Sequence, residues 1–301
     1  MKLKLLITLL ITIAPLFVNA QSFDSIFRST DWLKDNLEDE NLVILHVEDN
    51  DNYNAGHIPG AQLIRMKEYV TTTTDSIYTE MPTTTYLDSL LRARGISDNS
   101  KVILYYGGER FAATFRLYFT FDYLGLADNV FILNGGITTW VNNALPLSTD
   151  KVTVEGAGEG SLSIKANPAL IVDKEQKQQL IGAKDVKMID ARTSAYYSGE
   201  KDGDGRYKRP GHIAGAKNIT WLDIIDENQL LKPQEELQSY FANEGIKSED
   251  KIITYCHVGL RATVLYTIAK SLGHSVKLYD GSINQWDRLD KTYPVENNIK
   301  K

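Results

Sequence analysis

The chain repeats one order of motifs in its two halves, and this duplication limits the folds open to it more than any other feature. A Gly-His-Ile element, a helix-to-strand passage and a segment ending in tryptophan occur at 56–58, 90–106 and 130–140, and again at 211–213, 239–256 and 276–286. The second set follows the first by about 150 residues, whereas the repeats of solenoid proteins span a few tens of residues. The sequence therefore predicts two copies of one domain.

Within each copy, short β-rich apolar runs alternate with helical patterns. The predicted strands are Leu42–Val47, Gln62–Ile64, Val102–Tyr106 and Val130–Leu133 in the first copy, and Val186–Asp190, Lys217–Ile219, Ile252–Tyr255 and Val276–Tyr279 in the second. Strands that alternate with helices pair in parallel, because the chain must cross over between them. We therefore expect an α/β fold with two tandem domains, each a parallel sheet with helices on both faces.

Residues 1–20 have the features of a secretory signal peptide. Lys2 and Lys4 form a basic start, an almost wholly apolar run 5–18 follows, and small residues precede position 21. The apolar run is short for a bilayer-spanning helix. We expect a secreted, periplasmic protein with no membrane segment after cleavage; an uncleaved anchor is the alternative.

The remaining chain divides into an N-terminal domain at 21–148, a linker at 149–161 and a C-terminal domain at 162–301. Three glycines within 156–160 mark the linker. The net charge of −6 argues against a nucleic-acid partner, because no basic stripe is available to neutralise phosphates. The threonine runs at 71–74 and 83–85 flank an irregular loop, to which the sequence assigns no chemistry.

Cys256 is the only cysteine, so it has no partner for an intramolecular disulfide. An exported protein usually carries cysteines in pairs, and an unpaired thiol suggests that the thiol is used; a buried inert cysteine is the alternative. Cys256 follows an apolar strand pattern and precedes a helical pattern that runs from Arg261 to Gly273. Loop amides and a helix N-terminus favour a thiolate over a thiol.

These residues together resemble the tandem-domain rhodaneses, the thiosulfate and 3-mercaptopyruvate sulfurtransferases. The run 53–64 fits the N-terminal signature of that family, and Asp190-Ala191-Arg192 followed by Gly-His-Ile is typical of its catalytic half. The C-terminal signature is looser, since Ile283 and Gln285 replace its usual aromatic residue and glutamate. The resemblance covers essentially the whole chain after residue 20.

The resemblance implies that the C-terminal domain reacts and that the N-terminal domain is catalytically inactive. In tandem rhodaneses the N-terminal copy has lost the cysteine, and here Tyr106 stands where the second domain has Cys256. The first domain is then expected to be structural and to help form the substrate cleft. The family's chemistry implies a persulfide on the cysteine, with no metal and no organic cofactor.

The loop from Cys256 to Arg261 is the expected substrate site. The backbone amides of His257, Val258, Gly259 and Leu260 would point at the sulfur and stabilise the thiolate and persulfide, and Gly259 would permit the required turn. His257 would tune the thiolate or contact the substrate; an ordinary exposed loop histidine is the alternative.

Three arginines are candidates to bind the anionic end of a donor such as thiosulfate. Arg261 comes first, because a cation at a helix start opposes the helix dipole and so needs another reason to be there. Arg209 and Arg192 follow. A solvated loop charge is the alternative for Arg209, and a tie between loops through Asp190 is the alternative for Arg192. His57 and His212 are expected to fasten loops.

The expected activity is transfer of a sulfane sulfur from thiosulfate or 3-mercaptopyruvate to cyanide or a thiol, with a thioredoxin-like protein among the acceptors. His257-Val258 fits neither donor class of the family, while the Cys-x-x-Gly-x-Arg form resembles that of bacterial thiosulfate sulfurtransferases, which implies thiosulfate as the donor. One rival is a non-catalytic persulfide carrier or docking module. The other is a rhodanese-fold phosphatase or arsenate reductase, which the Cys-x4-Arg spacing disfavours because such phosphatases use a loop one residue longer.

Overall fold

The first domain contains a parallel sheet and the helices that cover it. The computed structural model describes residues 23–154, 158 and 160–299, so the predicted signal peptide lies outside the described residues. The elements of this domain are α1 Phe23–Ile26, β1 Phe27–Arg28, α2 Thr30–Asp35, β2 Leu42–Val47, α3 Asn50–Ala55, β3 Gln62–Ile64, α4 Thr84–Arg92, β4 Lys101–Tyr106, α5 Phe111–Tyr123, β5 Val130–Leu133 and α6 Gly136–Asn142.

The five strands of this sheet pair in the order β1-β5-β4-β2-β3, and every pair is parallel. The central strand β4 is buried along its length after Lys101, which is why its sequence is a continuous apolar and aromatic run. Helices α4 and α5 bury apolar side chains in one core cluster, while Trp140 of α6 belongs to another on the opposite face. Helices thus cover both faces of the sheet.

The second domain repeats this plan after the 3₁₀ turn Pro168–Leu170. Its elements are α7 Lys174–Gln179, β6 Val186–Asp190, α8 Ser194–Ser198, β7 His212–Ile213, β8 Lys217–Asn218, α9 Gln234–Asn243, β9 Lys251–Tyr255, α10 Ala262–Ser271, β10 Val276–Leu278, α11 Ser282–Trp286 and β11 Val295–Glu296. Four of the strands form a parallel sheet in the order β10-β9-β6-β8, and β7 pairs with β11 in an antiparallel ribbon.

The predicted α/β architecture of two tandem parallel-sheet domains is confirmed. Each of the eight predicted strands is present, and its limits differ from the prediction by no more than one residue at either end. The sequence analysis missed β1, β7 and β11, because two-residue strands carry no measurable periodicity. The segment Asp202–Gly205 is a turn, in which the Gly205 amide donates to Asp202 Oδ1 at 3.1 Å.

The chain between the domains packs along the first domain. Residues 155–157 and 159 of the predicted linker 149–161 lie outside the described residues. Beyond them, the Ser163 amide donates to Asp98 Oδ1 at 2.6 Å, and the Lys165 amide donates to the carbonyl of Leu124 at 3.0 Å. Within the described part of the chain, no helix is both long enough and apolar enough to cross a bilayer.

The two domains share a continuous core through α5 and α10. Side chains of both helices belong to one buried apolar cluster, in which Phe119 packs edge-on against Tyr266 with ring centroids 4.8 Å apart. The hydroxyl of Tyr266 and the ammonium of Lys270 both donate to Asp122 Oδ2, at 2.7 and 2.6 Å. Because α10 directly follows the Cys256 loop, this contact holds the loop against the first domain.

Candidate active site

Cys256 lies immediately after β9, in the loop that leads into α10. Its side chain is buried, with 1% of its surface exposed. The Cys256 amide donates to Ser282 Oγ at 3.1 Å, and its carbonyl accepts from the Ile283 amide at 3.1 Å. Two residues at the start of α11 therefore hold the backbone amide and carbonyl of the only cysteine.

Gly259 gives the loop its turn. Its φ of +81° lies in the left-handed region, which favours glycine. A Cβ at this position would lie 2.7 Å from the carbonyl oxygen of Asp280 and closer still to Oδ1 of the same residue. The predicted need for glycine is therefore both conformational and steric, because the loop rests directly on Asp280.

The first domain supports the same loop from the other side. The Thr79 hydroxyl donates to the carbonyl of Val258. Asp280, beneath Gly259, accepts two hydrogen bonds from the guanidinium of Arg116 in α5, at 2.5 and 2.8 Å. Arg116 is fully buried and Asp280 nearly so, so this pair ties the floor of the loop to the core of the other domain.

A cavity of about 440 Å³ opens beside the loop. His257, Val258 and Arg261 line it from the loop itself. Three aromatic side chains, Tyr196, Tyr207 and Trp221, and two further arginines, Arg192 and Arg206, also line it, together with Asp204 and three uncharged residues. The guanidinium carbon of Arg261 lies 5.6 Å from the ring centroid of Trp221, within cation–π range. The cavity is therefore aromatic and cationic, as an anionic substrate requires.

His257 is held as a neutral imidazole at the edge of this cavity. Its Nδ1 lies 2.5 Å from the Tyr207 hydroxyl, and its ring meets Tyr196 edge-on at 4.6 Å. Burial, and then the nearby charges of Arg192 and Arg261, lower the pKa of His257 to about 3. His257 therefore adds no positive charge at neutral pH; it contributes a hydrogen-bonding group and a wall of the cavity.

Arg192 both lines the cavity and ties loops together. Its side chain is buried and forms a bidentate pair with Asp190, at 3.0 and 2.7 Å, and it donates to the carbonyl of Gly211 at 2.6 Å. Burial alone would lower the pKa of Arg192, but the charge of Asp190, its hydrogen bond and the nearby tyrosines together raise it. The alternative from the sequence, a structural tie through Asp190, is therefore present alongside the cavity position.

The structure does not bring Arg209 to the cavity. Its guanidinium donates to the carbonyls of Trp286, Asp290 and Tyr293, the last at 2.7 Å, and its amide donates to Asp287 Oδ1 at 2.7 Å. These contacts fasten the segment that follows α11. Arg209 is thus a structural side chain in this geometry, and neither the predicted substrate contact nor the solvated charge describes it.

The predicted loop-fastening histidines have that geometry. His57 contacts the carbonyls of Tyr53 and Asp150 through its two ring nitrogens, at 3.0 and 3.1 Å. His212 contacts the carbonyl of Tyr197 at 2.8 Å and stacks on its ring. Both histidines lie outside the cavity.

Sequence reasoning missed the aromatic lining, Arg206 and the support from Thr79. Trp221 and Tyr207 belong to no motif, and their approach to the loop depends on how the segments after β6 and β8 fold back. The only available signal was that the chain between Asp190 and Trp221 begins at the end of β6, the strand that pairs with β9. Among the described residues, no group of three or more His, Cys, Asp or Glu could hold a metal ion.

The corresponding loop of the first domain has no reactive group. Tyr106 occupies the place of Cys256, and its hydroxyl donates across the domain boundary to the carbonyl of Gln229 at 2.9 Å. Phe111, at the start of α5, stands where the second domain has Arg261. With neither the thiol nor the arginine, this loop instead forms part of the wall of a second cavity, about 460 Å³, between the domains.

This fold and its duplicated loops define a family. The chain matches the Rhodanese-like domain over residues 29–143 and again over 173–289. It therefore belongs to the rhodanese-like family and carries two such domains in tandem, as the sequence motifs predict. It is a sulfurtransferase-family rhodanese protein.

Its relatives carry names that concern sulfur transfer. It is 33% identical over 273 residues to a Mycolicibacterium smegmatis protein named "Putative thiosulfate sulfurtransferase", covering 87% of this chain and 94% of that protein. It is 31% identical over 271 residues to the sulfur carrier protein TtuD of Thermus thermophilus, covering 87% and 93%.

A solved structure shares the fold at lower sequence identity. The anaerobic ergothioneine biosynthesis enzyme from Chlorobium limicola, in complex with trimethyl histidine, is 21% identical, with a TM-score of 0.80 over 93% of this chain and 72% of that chain.

Proposed function

We propose that the protein transfers a sulfane sulfur from thiosulfate or a related anionic donor, through a persulfide on Cys256, to a thiophilic acceptor. One observation carries the proposal: the only cysteine lies in a Cys-x4-Arg loop beside a cavity lined by Arg192, Arg206 and Arg261. Cations in the wall of the cavity attract an anionic donor to the cysteine. A thiolate nucleophile and an anion-binding wall are the two requirements of this reaction.

The reaction balances in two displacements. The Cys256 thiolate attacks the outer sulfur of thiosulfate; the new S–S bond forms as the S–SO₃ bond breaks, and sulfite leaves with the electron pair. An acceptor, cyanide or a thiolate, then attacks the outer sulfur of the persulfide and releases the Cys256 thiolate. The loop amides and Arg261 stabilise the anionic sulfur at both stages, so a single site serves both half-reactions.

A sulfur-carrier role is the second candidate function. The relative from Thermus thermophilus is named a sulfur carrier protein, and a buried Cys256 would protect a persulfide from solvent during transport. A carrier would accept sulfur from a protein partner and pass it to another, with a thioredoxin-like protein as a candidate acceptor. Rates with small donors distinguish the roles, because a carrier forms the persulfide from them slowly.

We propose that the protein acts outside the cytoplasm, because residues 1–20 have the signal-peptide features of exported proteins. The protein recovered from a periplasmic fraction is expected to begin at or near Gln21 when its N-terminus is sequenced. Recovery of the chain from the cytoplasm with its first twenty residues intact would overturn the export proposal.

Intact-protein mass spectrometry tests the proposed chemistry. After incubation with thiosulfate, the protein is expected to gain one sulfur atom, about 32 Da, and to lose it on addition of cyanide as thiocyanate forms. A parallel incubation with 3-mercaptopyruvate identifies the preferred donor by the faster gain. No adduct with either donor, while Cys256 remains a free thiol, would reject the enzyme and favour the carrier; release of phosphate from an aryl phosphate would favour the phosphatase alternative.

The substitution Arg261→Gln is expected to lower kcat/KM for thiosulfate by about 10- to 100-fold, mostly through KM, because it removes a charge-assisted contact to the donor. Arg209→Gln is the matched control, since it removes the same group from a site outside the cavity. The control is expected to lower the melting temperature and leave KM unchanged. Equal effects of the two substitutions on KM would contradict the assignment of Arg261 to the donor site.

A further inference from the structure

An irregular segment of the first domain, residues 71–80, reaches across to the Cys256 loop. Thr71 and Glu80 close it through a pair of backbone hydrogen bonds, each 2.9 Å long. Its tip rests on the second domain, where Arg288 Nη1 donates to the carbonyl of Asp75 at 2.6 Å. Thr79 then donates to the carbonyl of Val258. The segment to which the sequence assigned no chemistry therefore touches the reactive loop.

Glu80, at the end of this segment, has a carboxyl group without a matching cation. Its Oε1 is buried and has no hydrogen-bond partner. Arg116, the cation whose charge acts on Glu80, already donates two hydrogen bonds to Asp280, at 2.5 and 2.8 Å, and its Nε has no hydrogen-bond partner among the described residues. A charged Glu80 would therefore place a second, uncompensated carboxylate beside a buried ion pair, which is strongly unfavourable.

The charged and titratable groups around Glu80 come from four elements. The pKa of Glu80 is raised to about 8, mainly because the side chain is buried. The charges of Asp280 and Asp75 also raise this pKa, and the charge of Arg116 lowers it. Burial raises the pKa of Tyr279, with Glu80 contributing, and burial also raises the pKa of Tyr69, which lies near Arg116. Both tyrosines stay protonated between pH 7 and 9, so neither titrates together with Glu80 in that window.

Asp280 connects this cluster to the cysteine. It lies against Gly259, where there is no space for a Cβ, and Ser282, two residues further on, accepts the hydrogen bond from the Cys256 amide. A negative charge on Glu80 repels Asp280, and Asp280 cannot move without displacing the loop that rests on it.

We propose that Glu80 is a positioning residue that carries a proton at neutral pH, so that the Asp280–Arg116 pair remains intact and the Cys256 loop keeps its reactive shape. This inference rests on the proposed function for its consequence in sulfur transfer. Ionisation of Glu80 above neutral pH then displaces the loop and slows the reactions of Cys256. The first domain, though without a nucleophile, sets the pH range of the second.

Ionisation of Glu80 is expected to lower the stability of the folded protein as the pH rises. The pKa of Glu80 is higher in the folded state than its ordinary value of 4.5. The stabilisation from the neutral form is therefore fully present below pH 4.5 and is lost as the pH rises through about 8. The Glu80→Gln side chain is neutral at every pH, so the variant is not expected to lose this stability as the pH rises.

The test is the rate of alkylation of Cys256 by iodoacetamide between pH 6 and 10, with persulfide formation from thiosulfate measured in parallel. The variant-to-wild-type ratio cancels the titration of the thiol itself, because both proteins carry it. For Glu80→Gln the ratio is expected to be near one at pH 7 and about tenfold at pH 9, where most Glu80 is ionised in the wild type. Glu40→Gln, which removes an exposed carboxylate of the same domain, is expected to give a ratio near one throughout.

A ratio for Glu80→Gln that does not change with pH would overturn the proposal, whether the variant is uniformly slower or unchanged. Glu80→Met, which is also neutral, should reproduce the pH profile if Glu80→Gln folds poorly; a melting curve checks the fold. Alkylation reports on the thiol alone, so it tests this inference even if no sulfur is transferred from thiosulfate. Failure of the proposed function would appear only in the persulfide measurement.

Discussion

Replacement of Cys256 by serine is expected to lower the rate of sulfur transfer from thiosulfate to cyanide by about 10⁴-fold or more. The serine hydroxyl is almost wholly protonated at neutral pH and does not form a persulfide, so both displacements lose their nucleophile and leaving group. The chain contains no second cysteine that could take over the reaction. The loss should appear in both half-reactions and with any donor.

Intact mass after incubation with thiosulfate is the direct measurement, and the serine variant is expected to show no added sulfur. The variant should fold as the wild type does, because serine has nearly the same shape and Cys256 has no disulfide partner; circular dichroism checks this. Wild-type protein alkylated by iodoacetamide is a second control that keeps the native sequence. Turnover by the serine variant well above the uncatalysed rate would mean that the chemistry takes place elsewhere in the molecule.

The architecture was predictable because each structural signal is local or repeated. The strands β4 and β9 are buried after their first residue, so each is a short, largely apolar run bounded by turn residues. The duplication then gave every weak signal a second occurrence, as with Lys101–Tyr106 and Lys251–Tyr255. Placement of Cys256 after β9 followed from the same pattern, since reactive loops of α/β folds lie at the ends of parallel strands.

The support of the loop was not predictable, because it comes from residues far apart in the chain. Thr79 and Val258 are separated by 179 residues, and Arg116 and Asp280 by 164. No periodicity or spacing rule relates such positions, and both contacts depend on the way in which α5 packs against α10. The contribution of the first domain therefore becomes visible only in the folded chain.

The two secondary arginine candidates illustrate the same limit. Arg192 and Arg209 lie near the same strand ends and have the same charge, so the sequence could not separate them. In the fold, Arg192 lines the cavity and forms a bidentate pair with Asp190, while Arg209 donates to three carbonyls at the end of α11 and in the chain after it. For Arg209 the acceptors are backbone carbonyls, which carry no residue-specific signal in the sequence.

The reaction should also depend on the shape of the Cys256 loop, and Gly259 offers the sharpest test of that dependence. At its φ of +81°, any L side chain is strained by roughly 1–2 kcal/mol. A methyl group would in addition overlap Asp280, so the loop must move to accommodate alanine. Movement of the loop amides by about 1 Å is enough to slow a positioned reaction about 100-fold.

Gly259→Ala is therefore expected to slow persulfide formation from thiosulfate by about 100-fold and to lower stability to urea by at least the backbone strain. Gly245→Ala is the matched control, because Gly245 has a similar φ of +71° but nothing within 4 Å of the added methyl group. The control should share the loss of stability and keep its full rate. If both variants react at the wild-type rate, the contact between the loop and Asp280 does not set the reactivity of Cys256; if both are equally slow, backbone strain alone explains the effect.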